Sequence, residues 1–233
     1  MGEGQVAIIT GAGRGIGRAA AHALGREGYS IALVSRTQAD LDATKRDIAK
    51  SIAFSGDVSD AQRVADVVSK TVAHFGRLDA IVHSAGIAPM LSVEQTTSED
   101  WRAILDTNLS AAFYLARAAW PSFRKQGGGV IVNISSLSAR DPFPGFSAYG
   151  AAKAGLNLLG LALAREGQEI GVRVHTLMLG AVETAMFRKI RTPEQWPSSK
   201  TLDPADVAAT IVQCVRGNLR YTSGEVITLH KAI

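Results

Sequence analysis

The feature that most constrains the fold is a set of short runs that are apolar from end to end. "QVAIIT" at 5–10, "SIALVS" at 30–35, "LDAIVHSAG" at 78–86, "GGVIVNISS" at 128–136 and "GVRVHTLML" at 171–179 are rich in branched aliphatics. None shows the strict apolar–polar alternation of a strand with one wet face. Strands apolar throughout are covered on both faces. Shorter candidate strands lie at 51–56 and 224–229. Helical patterns fill the intervals at 15–27, 38–50, 59–75, 98–126, 147–168 and 203–216, the fourth bent near Asn108. Strand–helix repetition predicts one α/β domain over residues 1–233, a Rossmann-like, doubly wound parallel sheet of about seven strands with helices on both faces. The segment 184–202 breaks the rhythm, with two prolines, several charges and Trp196, and is expected to be a substrate loop.

Composition narrows the function classes. The 233 residues, 46% of them hydrophobic, suffice for one core. No apolar run has membrane-spanning length, and the N-terminus lacks a secretory pattern, so a cytoplasmic protein is expected. Cys214 is the single cysteine, which excludes an internal disulfide and a cysteine-built metal site. No metal-ligand cluster is visible. The net charge of +4 comes from scattered lysines and arginines, without the clustered footprint of a nucleic-acid binder. A small anionic ligand accounts for basic residues equally well.

"TGAGRGIG" at 10–17 joins the first strand to the first helix. Its glycines let the backbone turn tightly, and the helix N-terminus beyond it suits a pyrophosphate. Its spacing is Gly11-x-x-x-Gly15-x-Gly17, with Arg14 and Ile16 between. At the end of the second strand, where an acidic residue would read a ribose 2′-hydroxyl, the chain has Ser35, Arg36 and Thr37. Arg36, joined by Arg14, suits a 2′-phosphate, so NADP(H) is expected over NAD(H). Tyr149 and Lys153, one turn apart in "SAYGAAKAGL", share a helix face. Alone, that spacing fits an ordinary half-buried tyrosine and a solvated lysine better than a reactive pair.

Taken together these motifs resemble the short-chain dehydrogenase/reductase family over about residues 5–229. The family's glycine motif matches Thr10–Gly17, and its Asp-Val after the third strand matches Asp57-Val58, the aspartate expected at the adenine amine. Its Asn-Asn-Ala-Gly matches His83, Ser84, Ala85 and Gly86; its helical asparagine matches Asn108. Its serine matches Ser136, and its Tyr-x-x-x-Lys matches Tyr149 and Lys153. The resemblance implies NADP(H)-dependent, reversible reduction of a carbonyl to an alcohol, with 3-oxoacyl-carrier-protein reductases among the relatives. Tyr149 would be the general acid/base, its pKa lowered by the charge of Lys153, which would also bind the nicotinamide ribose. Ser136 would steady the substrate oxygen, and Asn108 would hold a relay water. Gly180, Val182 and Thr184 lie in the region expected to meet the nicotinamide. Phe143, Phe146, Met186, Phe187 and Trp196 suggest an apolar substrate pocket, which Ser138 is expected to line, while Ser135 reads as strand-end packing.

The chain departs from the family at His83 and Ser84, which replace two asparagines, and at Leu179, which replaces a proline. His83 reads best as a hydrogen-bonded structural histidine. The short connection into the third strand suggests a trimmed sheet edge. The resemblance implies a homodimer or homotetramer, although the sequence lacks the family's common glycine-bearing tail after "EVITLHKAI". The alternative reading is a catalytically silent NADP(H)-binding regulator, which would normally lack the tyrosine or the lysine.

Overall fold

The computed structural model describes residues 4–231. Seven strands form one parallel sheet in the order β3-β2-β1-β4-β5-β6-β7. They are β1 Val6–Thr10, β2 Ser30–Ser35, β3 Ser51–Ser55, β4 Ala80–His83, β5 Gly129–Ser136, β6 Val172–Leu179 and β7 Val226–Leu229. The helices are α1 Gly15–Arg26, α2 Gln38–Lys45, α3 Ala61–Phe75, α4 Ser98–Leu105, α5 Ala111–Gln126, α6 Ser147–Gly167, the single turn α7 Ala185–Arg188, and α8 Pro204–Arg216.

Successive residues of a strand enter opposite cores. Ile9, Leu33 and Val132 pack with Leu24 of α1 and Ile211 of α8. Ile8, Val34 and Ile131 pack with Val67 of α3, Leu115 and Phe123 of α5 and Leu163 of α6. This two-sided burial is why the strand sequences do not alternate. Helix ends follow local chemistry. Asp60 accepts from the N–H groups of Gln62 and Arg63, and Thr97 forms a capping box with Asp100.

Two expectations about element lengths change. The helix expected over 38–50 ends at Lys45, because Ile48 turns back into the core with its N–H on the Lys45 carbonyl at 3.0 Å. β3 is not trimmed: all five residues pair with β2, from Ile31–Ser51 to Ser35–Ser55. The helix, not the sheet edge, takes up the short connection. The bend near Asn108 is a turn of π-helix, Asp106–Ser110, closed by the Ala111 N–H on the Asp106 carbonyl.

The strand order reverses direction between β1 and β4, and ligands of such sheets bind outside the strand ends at that point. One hydroxyl ties the two ends together. Thr10 Oγ1 accepts from the N–H groups of Ser84 at 3.2 Å and Ala85 at 3.1 Å. With both lone pairs taken, its proton goes to His83 Nδ1, 3.1 Å away. This accounting leaves the His83 proton on Nε2, a buried nitrogen without a hydrogen-bond partner, in a ring that lies near the Thr107 backbone of the π turn. His83 is therefore the structural, hydrogen-bonded histidine its sequence context suggests.

Burial, with a further push from Lys153, lowers the His83 pKa to about 3; burial and then Arg173 lower that of buried His175 to about 4. In the unfolded chain both rings titrate near pH 6.5. Between these values the unfolded state holds more protons, so the two histidines make stability decline as the pH falls below about 6.5 and add no slope above it. Urea unfolding from about pH 6.5 down to about pH 5 should show this, with a limiting slope of about 1.4 kcal/mol per pH unit for each histidine. His83→Asn should remove about half of the slope, leaving that of His175; an unchanged slope in that variant would contradict the assignment.

Candidate active site

A cavity of about 480 Å³ opens at the β1–β4 reversal and runs without interruption from Arg36 and Asp57 at one end to Tyr149, Phe143 and Trp196 at the other. At the first end, Gly11, Arg14, Gly15 and Ile16 line the wall with Ser35 and Arg36. Gly17 lies behind it: a Cβ there would stand 2.3 Å from the Gly11 carbonyl oxygen, so only glycine lets α1 start this close to the loop. The Arg14 cap makes no side-chain hydrogen bond and the first turn of α1 holds no acidic residue, leaving its N–H groups free for an anion. Two residues the sequence reading missed brace the loop from behind. Arg18 donates to the Gly13 carbonyl, and Thr44 Oγ1 donates to the Ala12 carbonyl at 3.1 Å. Asp57 lines the cavity with one carboxylate oxygen taken by the N–H and hydroxyl of Ser59, at 3.0 and 2.9 Å.

At the other end β5, α6 and the π turn converge. Lys153 is buried and donates from Nζ to the Ile134 carbonyl at 2.8 Å. Its Nζ lies 5.7 Å from the centroid of the Tyr149 ring. Asn108 is fully buried and donates to the carbonyls of Ile87 and Ile104 at 2.8 and 2.9 Å, while its Oδ1 has no partner. A Cβ on Gly86 would come within 2.7 Å of that oxygen, so glycine keeps the space open. Ser136 Oγ accepts from the Ser138 N–H at 3.2 Å, and Ser135 is buried with its hydroxyl toward the Lys153 carbonyl.

The electrostatics correct one expectation. Enclosure raises the Tyr149 pKa above its ordinary value, opposed by the hydrogen bond with Ser136, and enclosure lowers Lys153 to about 7. The sequence reading had Lys153 lowering the phenol. Desolvation dominates here, with Ser136 and not Lys153 opposing it at the phenol, because enclosure penalises both charged forms and leaves the lysine only partly protonated near neutral pH.

The segment 184–202 is less loose than its composition suggests. Its base is a parallel bridge, Val182–Leu202, with the Glu183 N–H on the Leu202 carbonyl at 2.9 Å. Arg188 pairs with Glu183, which also accepts from Thr201 Oγ1 at 3.0 Å, and donates to the Trp196 carbonyl at 2.7 Å. Phe187 and Trp196 meet edge to face at 6.3 Å. Neither Glu183 nor Arg188 stood out in the sequence, since the pairing depends on the turn of α7. Glu183→Gln should weaken this brace and make tryptic cleavage at Arg191 and Lys200 several-fold faster, read by limited proteolysis against a fixed core; unchanged rates would contradict the brace.

The structure brings nearly all the expected site residues to one cavity. Asn108, Ser136, Tyr149 and Lys153 line it, as do Val58, Ser84, Ala85, Gly86, Gly180, Val182 and Thr184. Ser138 lines it, as do the aromatics expected in the apolar pocket. Two do not: Gly17 is behind the loop, and Thr37 caps α2 outside the wall. A nicotinamide dinucleotide fits the residues present, given the unbroken cavity, the open start of α1 and the unpartnered Asn108 Oδ1.

Comparison with known proteins agrees with this geometry. The sequence profile described as short chain dehydrogenase matches residues 5–195. A 3-oxoacyl-[acyl-carrier-protein] reductase from Staphylococcus aureus is 30% identical, over 95% of this chain and 94% of that one. A short-chain dehydrogenase/reductase structure from Burkholderia xenovorans is 30% identical with a TM-score of 0.91, covering 98% of this chain and 96% of that one. Levodione reductase superposes with a TM-score of 0.92 at 26% identity, covering 99% and 97% of the two chains. The chain belongs to the short-chain dehydrogenase family, the oxidoreductases that act on alcohol and carbonyl groups with a nicotinamide dinucleotide.

Proposed function

We propose that the protein is an NADPH-dependent carbonyl reductase. The observation that carries this reading is the single cavity with Arg14 and Arg36 at one end and Ser136, Tyr149 and Lys153 at the other. A dinucleotide with a 2′-phosphate would meet the two guanidiniums, which make charge-assisted bonds to phosphate that a free hydroxyl cannot match. The loop at Gly11–Ile16 and the start of α1 would hold the pyrophosphate, and Gly180, Val182 and Thr184 the nicotinamide end. When bound, the cofactor supplies the hydride.

The chain's own residues handle the oxygen. As the carbonyl carbon is reduced, negative charge grows on the oxygen. Ser136 donates a hydrogen bond to it, and Tyr149 delivers the proton that completes the alcohol. The raised phenol pKa keeps Tyr149 protonated and ready to give. Lys153, close to neutral pH in its own titration, stands beside the phenol to restore that proton. Asn108 keeps an open acceptor near the lysine, suited to a water that links it to solvent.

Tyr149→Phe is expected to cut NADPH-driven turnover of a carbonyl panel by about 100-fold or more, with NADPH binding retained by fluorescence titration. A variant as active as the parent would sink the assignment. Arg36→Leu should reduce the preference for NADPH over NADH by about 10-fold or more, read as the ratio of kcat/KM values. A parent that favours NADH would overturn the cofactor reading.

A further inference from the structure

We propose that the substrate is a carbonyl compound whose apolar body ends in an anionic group, a carboxylate or a phosphate monoester, held by Arg191. This rests on the reductase reading above and specifies what that site accepts.

A run of ring contacts leads away from the chemical end. The ring of Tyr149 lies 5.4 Å from that of Phe146, between centroids. Phe146 lies 6.3 Å from Phe143, and the Arg191 guanidinium stands 5.7 Å from the Phe143 centroid. A carbonyl placed at Tyr149 therefore has an apolar wall about two rings long, with a cation beyond it. All four residues line the cavity, on the side away from Arg14 and Arg36.

Arg191 differs from its neighbour Arg188 in how its charge is used. Arg188 is neutralised by Glu183 and spends its other donors on the loop backbone. Arg191 is half-buried, and its side chain donates to the adjacent Ile190 carbonyl at 3.1 Å. It is absent from the ion pairs among the described residues. Lys200 and Lys231, also outside those pairs, line the same cavity. Asp57 belongs to the phosphate end, so Asp141 is the remaining carboxylate on the wall and the balance at the mouth is positive. A guanidinium resting on an aromatic face is partly desolvated, and its remaining donors suit the paired oxygens of a carboxylate or phosphate.

The test uses three ketones with one apolar body, ending in a carboxylate, a phosphate monoester or a neutral methyl ester. NADPH-driven kcat/KM is measured for each with the parent and with Arg191→Gln and Arg191→Lys. At least one anion should be preferred over the ester by about 10-fold, chiefly through KM. The preference should collapse in Arg191→Gln and survive in part in Arg191→Lys, which shows that loss is of charge and not of folding. Whichever anion is preferred identifies the end group. Equal turnover of all three would discard the anionic end and leave the reductase standing. A preference untouched by Arg191→Gln would remove Arg191 from it. No turnover of any carbonyl, with NADPH still bound, would overturn the reductase reading itself and this proposal with it.

Discussion

The hydroxyl of Thr10 is the tie on which the site depends. It stands where the sheet reverses direction and takes the first two N–H groups of the turn after β4. Without it both N–H groups would lose the partner that joins the turn to the end of β1. Its own proton fixes the His83 ring, which lies near the Thr107 backbone in the π turn that carries Asn108. The glycine loop, the floor of the cavity and the asparagine are thus linked through one small side chain.

Burial is the second organising force. The sheet needs β5 and α6 in close contact, and that contact encloses Lys153. The Ile134 carbonyl offsets part of the desolvation. What remains brings the ammonium down to about 7, where it can take and release protons at neutral pH. The same enclosure keeps the phenol of Tyr149 protonated. Packing that stabilises the fold thus sets the protonation states that the proposed chemistry uses.

Most of the architecture was legible because two-sided burial writes itself into the strands as unbroken apolar runs. The site was legible where motif and strand end coincide, as at Gly11, Arg36 and Ser136. What escaped was tertiary. The bend at Asn108 was readable, but its π closure depends on neighbours that no local pattern encodes. Prolines and charges made 184–202 look loose, whereas Glu183 meets Arg188 and Thr201 only once α7 has turned. The spacing of Tyr149 and Lys153 shows that they are close, but not that desolvation governs both of them. Arg191 carried no sequence signal, since its partner ring, Phe143, is far away along the chain.

The central claim is that one cavity brings a nicotinamide cofactor and a carbonyl into contact. The most direct measurement supplies NADPH doubly deuterated at the nicotinamide C4, with the carbonyl compound turned over fastest, and reads the alcohol by mass spectrometry. The account predicts one deuterium on the carbinol carbon for each cofactor oxidised. Cofactor oxidation without label on that carbon would contradict it.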